Sequence, residues 1–303
     1  MAVQEQETFL TQKFLKTDIS ILKPHVSHTV SSSQPVQVAL ELLQEDQNGS
    51  LVCIKPDGKA GGIFTEHDAV QKVALKNFNL IETPVREVMT PSPHAVQHNA
   101  SIARALNVMA KLNCRHVLVL HPKEDIPLEL SSIDFIVYIH DHLSSNTDES
   151  SGVTITNPTT VEKFFECPLS DLAPEESPRV SADTSVRTVL RRMCSADVQS
   201  VAVTGENEEL IGLFTDRDYM LRVALRDIDL AETPVSEVMS HSPVVALEDT
   251  PIREAFKMMA QGAFRHIPVV DQDKRLIKTL SIKHIVKYLS RSIVHELSDY
   301  DSK

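Results

Sequence analysis

One feature constrains this chain before any local propensity does: it contains a duplication. Thr83-Pro84-Val85-Arg86-Glu87-Val88-Met89-Thr90-Pro91-Ser92-Pro93 returns 150 residues later as Thr233-Pro234-Val235-Ser236-Glu237-Val238-Met239-Ser240-His241-Ser242-Pro243, with eight of eleven positions identical. The same offset carries Phe64-Thr65 onto Phe214-Thr215, Asp68 onto Asp218, Arg115-His116 onto Arg265-His266 and Lys13-Phe14 onto Lys163-Phe164. A constant offset across all these anchors means that one half repeats the other without a net insertion between them, and repeats of this kind set the architecture. A shorter echo runs inside each half. Thr65-x-x-Asp68 is followed 66 residues later by Ser131-x-x-Asp134, and Thr215-x-x-Asp218 at the same distance by Ser281-x-x-His284. The chain therefore reads as four units in two pairs.

The fourth unit shows the pattern of one. Pro243–Leu247 is strand-like; Thr250 as N-cap and Pro251 at N1 open a helix with Ile252, Phe256 and Met259 on one face; and Gly262 closes it. Ile267–Val270, a turn at Asp271–Asp273 and Leu276–Leu280 then form a hairpin. A second helix follows from Ser281, with Ile285, Tyr288 and Leu289 on one face, so the order is β-α-β-β-α. The other units repeat it, with helix faces at Val36/Ala39/Leu40/Leu43, Ile102/Leu106/Met109 and Val186/Val189/Leu190/Met193, and strands at Leu51–Ile54, Val117–Leu120 and Val201–Val203. The expected class is α/β of the α+β type, with four β-α-β-β-α units in two pseudo-two-fold pairs. A lone unit of about 60 residues has a marginal core, so the pairs are expected to close sheet against sheet. The boundaries fall at 11–80, 81–143, 158–230 and 231–295, with polar tails at 1–10 and 296–303 and a flexible Ser/Asp/Glu-rich linker at 144–157.

Composition excludes several classes. The 303 residues carry 30 Lys+Arg against 42 Asp+Glu, a formal net charge of −12, which disfavours non-specific nucleic-acid binding. No apolar run approaches the roughly 18 residues of a membrane span, and the N-terminus does not read as a signal peptide. Cys53, Cys114, Cys167 and Cys194 form no CxxC or metal-like cluster, which implies free thiols in a reducing, cytoplasmic compartment. His67, His121, His140 and His142 show no metal-ligand spacing, and no nucleophile motif or Walker loop occurs. No catalytic residue, metal or required cofactor is therefore assigned.

The unit order, the Gly-φ-φ-Thr-x-x-Asp exit from the third strand (Gly62–Asp68 and Gly212–Asp218), the Glu-Val-Met-Thr/Ser lead-in and the Arg-His ahead of a β-strand resemble cystathionine-β-synthase (CBS) domains. Four of them in two pairs resemble two Bateman modules, over roughly residues 11–292.

Two readings of Thr/Ser-x-x-Asp stand side by side. As a capping box, the hydroxyl and the acid satisfy each other's backbone N–H groups at a helix start. As a ligand site, the helix N-terminus and hydroxyl face an anion, while the Asp, with two acceptor oxygens, takes both hydroxyls of a ribose. The resemblance assigns the second role to Thr65/Asp68, Ser131/Asp134 and Thr215/Asp218. The fourth unit departs: His284 stands in the Asp position, so that site should be weak, altered or empty, and stoichiometry should fall below four per chain. Arg115-His116 and Arg265-His266 either complement a helix C-terminus or, lying beside the Ser-x-x motifs across the hairpin, meet phosphate as the corresponding basic residues do in nucleotide-binding relatives. The odd units carry Gly49-Ser50 and Gln199-Ser200 there and would borrow cations across the pseudo-two-fold.

The resemblance implies a non-catalytic sensor that binds an adenosine-containing nucleotide in clefts between paired units, with AMP, ADP or ATP ahead of NAD or S-adenosylmethionine. Its output would pass to an unidentified regulated protein by a conformational change. A structural oligomerisation module without ligand is the alternative from another class, and an enzyme with a site at a module interface is a third. Assembly is expected as an intramolecular disc of the two halves or as a homodimer.

Overall fold

The structure, a computed structural model, describes residues 17–46, 48–76, 78–122, 126–145, 165–172, 178–262 and 264–300. The N-terminal tail, most of the linker and the Lys13-Phe14/Lys163-Phe164 anchors lie outside the described residues. Among the described residues there are eight α-helices and four mixed sheets.

The first unit comprises β2 (Thr29–Ser31), α1 (Val36–Glu45), β3 (Ser50–Ile54), β4 (Ala60–Thr65) and a short α2 (Glu66–Asp68) that continues as a π-helical turn over Ala69–Val73. Its sheet runs β2-β3-β4-β5, the last strand being Thr90–Pro91. The second unit has β6 (Ala95–Gln97), α3 (Ile102–Lys111), β7 (His116–Leu120), β8 (Leu128–Ser131) and α4 (Ser132–Ser145), with β1 (His25–Val26) on the edge of its sheet. The third has β9 (Arg179–Ser181), α5 (Val186–Ala196), β10 (Ser200–Thr204), β11 (Leu210–Thr215), α6 (Asp216–Arg222) and β12 (Ser240–His241). The fourth has β13 (Ala246–Leu247), α7 (Ile252–Gly262), β14 (His266–Val270), β15 (Leu276–Ser281) and α8 (Ile282–Tyr300). In every unit the central hairpin is antiparallel and the strand before the first helix pairs parallel to it.

The physical units are not contiguous in sequence. The Thr-Pro-Val-x-Glu-Val-Met lead-in at 83–89, read from the sequence as the opening of the second unit, belongs to the first: Val85 N–H donates to the Gln34 carbonyl, Val85 and Val88 are buried, and β5 pairs with β4. The lead-in at 233–239 docks on the third unit in the same way, through Val235 N–H to the Thr184 carbonyl and β12 against β11. Gly62 and Gly212 are required here, because a Cβ on either would collide with the sulfur of Met89 or Met239. Conversely, Ile102 N–H donates to the Thr17 carbonyl and β1 pairs with β8, so the start of the chain closes the second unit. Ile252 N–H donates likewise to the Cys167 carbonyl in the fourth. Boundaries at 80/81 and 230/231 therefore cut across hydrogen-bonded edges.

Two further sequence readings are corrected. Pro251 does not enter the helix; it forms an extended bridge with Pro168, so α7 starts at Ile252, and the Thr250 hydroxyl accepts from Leu247 N–H in the preceding turn. α8 continues to Tyr300 and α4 to Ser145, into stretches that read as tail and linker.

The core joins the two halves. In the second half the sheets meet through Ala202 and Leu213 of the third unit and Leu276 of the fourth. The two large apolar cores are built mainly by helices and join the halves. One unites Leu40, Leu43 and Val70 with Val189, Leu190 and Met220, first unit with third. The other unites Leu106, Met109 and Ile136 with Phe256, Met259 and Ile285, second unit with fourth. α3 packs on α8 and α4 on α7. The faces with apolar residues at helical spacing are thus buried crosswise, the first helix of a unit against the second helix of that unit's copy in the other half, and the halves form an intramolecular assembly.

This sharing has a measurable consequence. Phe256 packs edge-on against Phe165 at a centroid separation of 5.0 Å in the second-fourth core. Phe256→Ala lowers stability by about 3–5 kcal/mol. Hydrogen exchange then accelerates in α3 and α4 of the first half as much as in α7 and α8; acceleration confined to the second half would refute a shared core.

Candidate functional site

The Thr-x-x-Asp motifs of the odd units are complete capping boxes. Thr65 and Thr215 each accept from the Asp three residues on, and each Asp accepts in return from the Thr backbone N–H at 2.9 Å. The carboxylates have further partners. Asp68 Oδ2 accepts from Thr65 Oγ1 at 2.8 Å, while Oδ1 takes Thr90 Oγ1 at 2.7 Å and Lys72 Nζ at 2.6 Å. Asp218 repeats this with Thr215, Ser240 Oγ at 2.7 Å and Arg222 at 2.8 Å. Four contacts occupy the whole acceptor capacity of a carboxylate, so a ribose diol would have to exchange for one of them. Both readings of the motif thus start from the capping geometry.

In the even units, Ser131 N–H donates to Asp134 Oδ2 at 2.6 Å, and burial raises the Asp134 carboxyl above its ordinary range. His116 does not present a free cationic face. Its Nδ1 pairs with Glu129 Oε1 at 2.6 Å, and Glu129 also accepts from the Ser50 hydroxyl of the first unit. In the fourth unit Ser281 N–H donates to His284 Nδ1 at 3.2 Å, so the imidazole keeps the capping role of the missing Asp. A neutral ring with Nδ1 as acceptor carries its proton on Nε2, which turns a two-acceptor position into a donor.

The borrowing of cations takes a form the motifs did not disclose. Glu66, fully buried at the second position of the first unit's motif, meets Arg217 Nη1 of the third unit at 2.9 Å and Arg265 Nη1 of the fourth at 3.3 Å. Arg265 also donates to the Asn48 carbonyl at 2.6 Å. Burial alone would raise the Glu66 carboxyl; Arg265, Arg115 and Arg217 outweigh it and hold it below the carboxylate range. Burial and the neighbouring Arg115 bring Arg265 down to about 10. Across the pseudo-two-fold the same positions meet in reverse: Asp216 faces His67 Nδ1 at 3.2 Å, and Asp197 faces His67 Nε2 at 3.1 Å. Burial works against a charged His67, but Asp216 outweighs it and raises its pKa, with Lys283 and Arg115 opposing.

Beside this centre, between the third and fourth units, lies an open cleft with about 600 Å³ of empty space out to its mouth. Gln199, Ser200, His266, Lys283, His284 and Lys287 line it. His266 is held well below the imidazole range, first by burial and then by Arg115 and Arg265, so it is neutral. Among the described residues no group of three or more His, Cys, Asp or Glu could hold a metal, and no helix is long and apolar enough to cross a membrane. The four cysteines are free thiols, and burial pushes Cys53 up to about 12 and Cys114 to about 11.

The family model of the CBS domain matches residues 85–127, 169–224 and 235–291, half of the chain. The chain belongs to the CBS domain family. Residues 17–76 repeat the same strand and helix order as the matched units, so the fold holds four CBS units. Among curated proteins, Arabidopsis thaliana CBS domain-containing protein CBSCBSPB5 is 30% identical over 267 residues, covering 80% of this chain and 46% of the relative. The meiotically up-regulated gene 70 protein of Schizosaccharomyces pombe is 22% identical over 317 residues, covering 90% of this chain and 43% of the relative. The chain thus spans about half the length of these relatives. Among solved structures, protein MJ1225 of Methanocaldococcus jannaschii superposes with a TM-score of 0.70 over 90% of this chain and 100% of its own, at 18% identity. An uncharacterized conserved protein of Pyrococcus horikoshii does so with a TM-score of 0.54 over 79% and 90%, at 17% identity. These likenesses establish the shared CBS fold.

Glu66, His67, Asp216 and Arg217 were missed as a set in the sequence, although a signal existed. Both odd CBS units place an acid and then a base between Thr and Asp, the arrangement in which each acid meets the other unit's base across a two-fold axis.

The two pairs differ in pH response. Arg217→Ala leaves Glu66 buried with one direct cation fewer and costs about 3 kcal/mol at any pH between about 6 and 9. His67 has a folded pKa above the ordinary 6.5, so its contribution is complete below about that pH and is lost as pH rises through the folded value. His67→Gln therefore destabilises at about pH 6 and converges on the wild type at about pH 9. Urea unfolding across this range checks it; a pH-independent deficit would refute the ion-pair assignment.

Proposed function

We propose that this chain is a non-catalytic regulatory module that binds an adenosine-containing nucleotide between paired CBS units and reports occupancy to a partner protein. The observation that carries the reading is the cleft between the third and fourth units. Its walls come from the third and fourth units with Asn113 of the second, the N-terminal end of α8 opens at it, and lysines line it. Helix N-termini and cations suit phosphate. Membership of the CBS family supports a regulatory rather than a chemical role. A ligand touching both units stabilises whichever relative arrangement it fits better, by its differential affinity for the two. Because the helical cores join the halves, a change of angle in one pair is felt by the other. AMP, ADP and ATP lead NAD and S-adenosylmethionine as ligands; the partner is a regulated protein.

A second reading, a structural module without ligand, is favoured by one observation: Asp68 and Asp218 already have their acceptors filled by neighbouring side chains. A thermal-shift panel separates the two. A nucleotide at about 100 times its dissociation constant stabilises the folded chain by about 2.7 kcal/mol. A shift with one or more adenylates is expected; the absence of any shift at millimolar concentration would favour the structural module.

A further inference from the structure

The two halves are copies, so corresponding clefts can be compared position by position. In the first half the strand and helix beside the cleft carry Glu129, Ser131, Ile133, Asp134 and Val137; in the second the same positions carry Thr279, Ser281, Lys283, His284 and Lys287. On this strand and helix two acids have gone and two lysines have appeared, one helical turn apart on α8, while Asp197 of the third unit, where the first half has Gln47, also lines the cleft. In the first half, Glu129 is buried and paired with His116 Nδ1 within the same unit. In the second, neither Lys283 nor Lys287 forms an ion pair with a described carboxylate.

We propose that the cleft between the third and fourth CBS units is a polyphosphate-selective site, whose ligand is recognised by its phosphate chain at Lys283 and Lys287 and not by a ribose diol. This deepens the nucleotide reading and rests on it for the cleft being a ligand site. The replacement of Asp by His284 is then a change of specificity: a carboxylate that would accept from a diol and repel phosphate becomes a donor. The local field agrees. Burial and then Arg115 bring Lys283 down to about 8, with Lys287 adding to the repulsion and Asp216 and Asp197 opposing it. A crowded set of cations gains from a bound polyanion, so binding near pH 8 takes up protons and weakens as pH rises.

The test uses inorganic tripolyphosphate, ATP and adenosine with the full chain, by isothermal titration. Tripolyphosphate is expected to bind at one site per chain, with affinity falling steeply with salt. Lys283→Ile with Lys287→Val, which installs the first half's residues, is expected to weaken tripolyphosphate and ATP at least tenfold. Lys283→Gln with Lys287→Gln is the second variant, in case the apolar pair perturbs folding, and thermal midpoints report folding for both. His284→Asp is expected to weaken tripolyphosphate and strengthen adenosine. ATP or adenosine binding with affinity indifferent to both lysine variants, and no tripolyphosphate binding, would overturn the polyphosphate assignment and leave the nucleotide reading standing. Tripolyphosphate binding without any nucleotide binding would do the reverse. Absence of binding by all three would overturn both.

Discussion

The helical faces in this protein are closed across the halves, each unit's helices packing on those of its copy, first helix against second. A unit of about 60 residues has too little interior for its sheet and two helices. Here the helices of the first unit finish their core on the third, and those of the second on the fourth. The hydrophobic effect makes that pairing compulsory, since faces such as Val186/Val189/Leu190/Met193 would otherwise lie in water. The exchanged edge segments follow the same logic. The lead-ins at 83–89 and 233–239 and the chain start at 17–26 each complete a neighbouring sheet, so separation of any unit strips an edge from another.

Once the halves meet helix to helix, the starts of their helices after the third strands converge, and charge must be matched where solvent is excluded. Glu66 and Asp216 are both almost wholly buried at this junction. A buried carboxylate persists as an anion only with cations in direct contact. Arg217 and Arg265 supply them for Glu66 and His67 for Asp216, so two symmetric positions have one permanent and one titratable partner. The duplication made the geometry symmetric, and divergence between the copies broke the symmetry of the chemistry.

The same divergence governs the clefts. Capping at all four helix starts demands an acceptor three residues after Thr or Ser, and either Asp or the Nδ1 of His284 meets that demand. Folding therefore leaves this position free to differ in ligand chemistry. The carboxylate remains in Asp68, Asp134 and Asp218; in the first and last of these its oxygens are also held by Thr90 or Ser240 and a cation one turn on. Where it is gone, Lys283 and Lys287 line the cleft together with Asp197.

Much of this was legible in the chain itself. The 150-residue offset marked the two halves, and the 66-residue echo inside each marked the two units of a half. The spacing of Ile102/Leu106/Met109 and its counterparts named the buried faces, because amphipathic periodicity is a local property of a helix. Capping at Thr65 and Thr215 was equally readable, since its partners lie three residues apart. What only the tertiary structure decided was which faces meet. Periodicity says that a face is buried but not against what, so it left open whether the helical faces close within one chain or between two; the cores run between the halves of this chain. The contacts of Glu66 with Arg217 and Arg265, and of His67 with Asp216, span well over 100 residues of sequence and exist only because that packing brings them together.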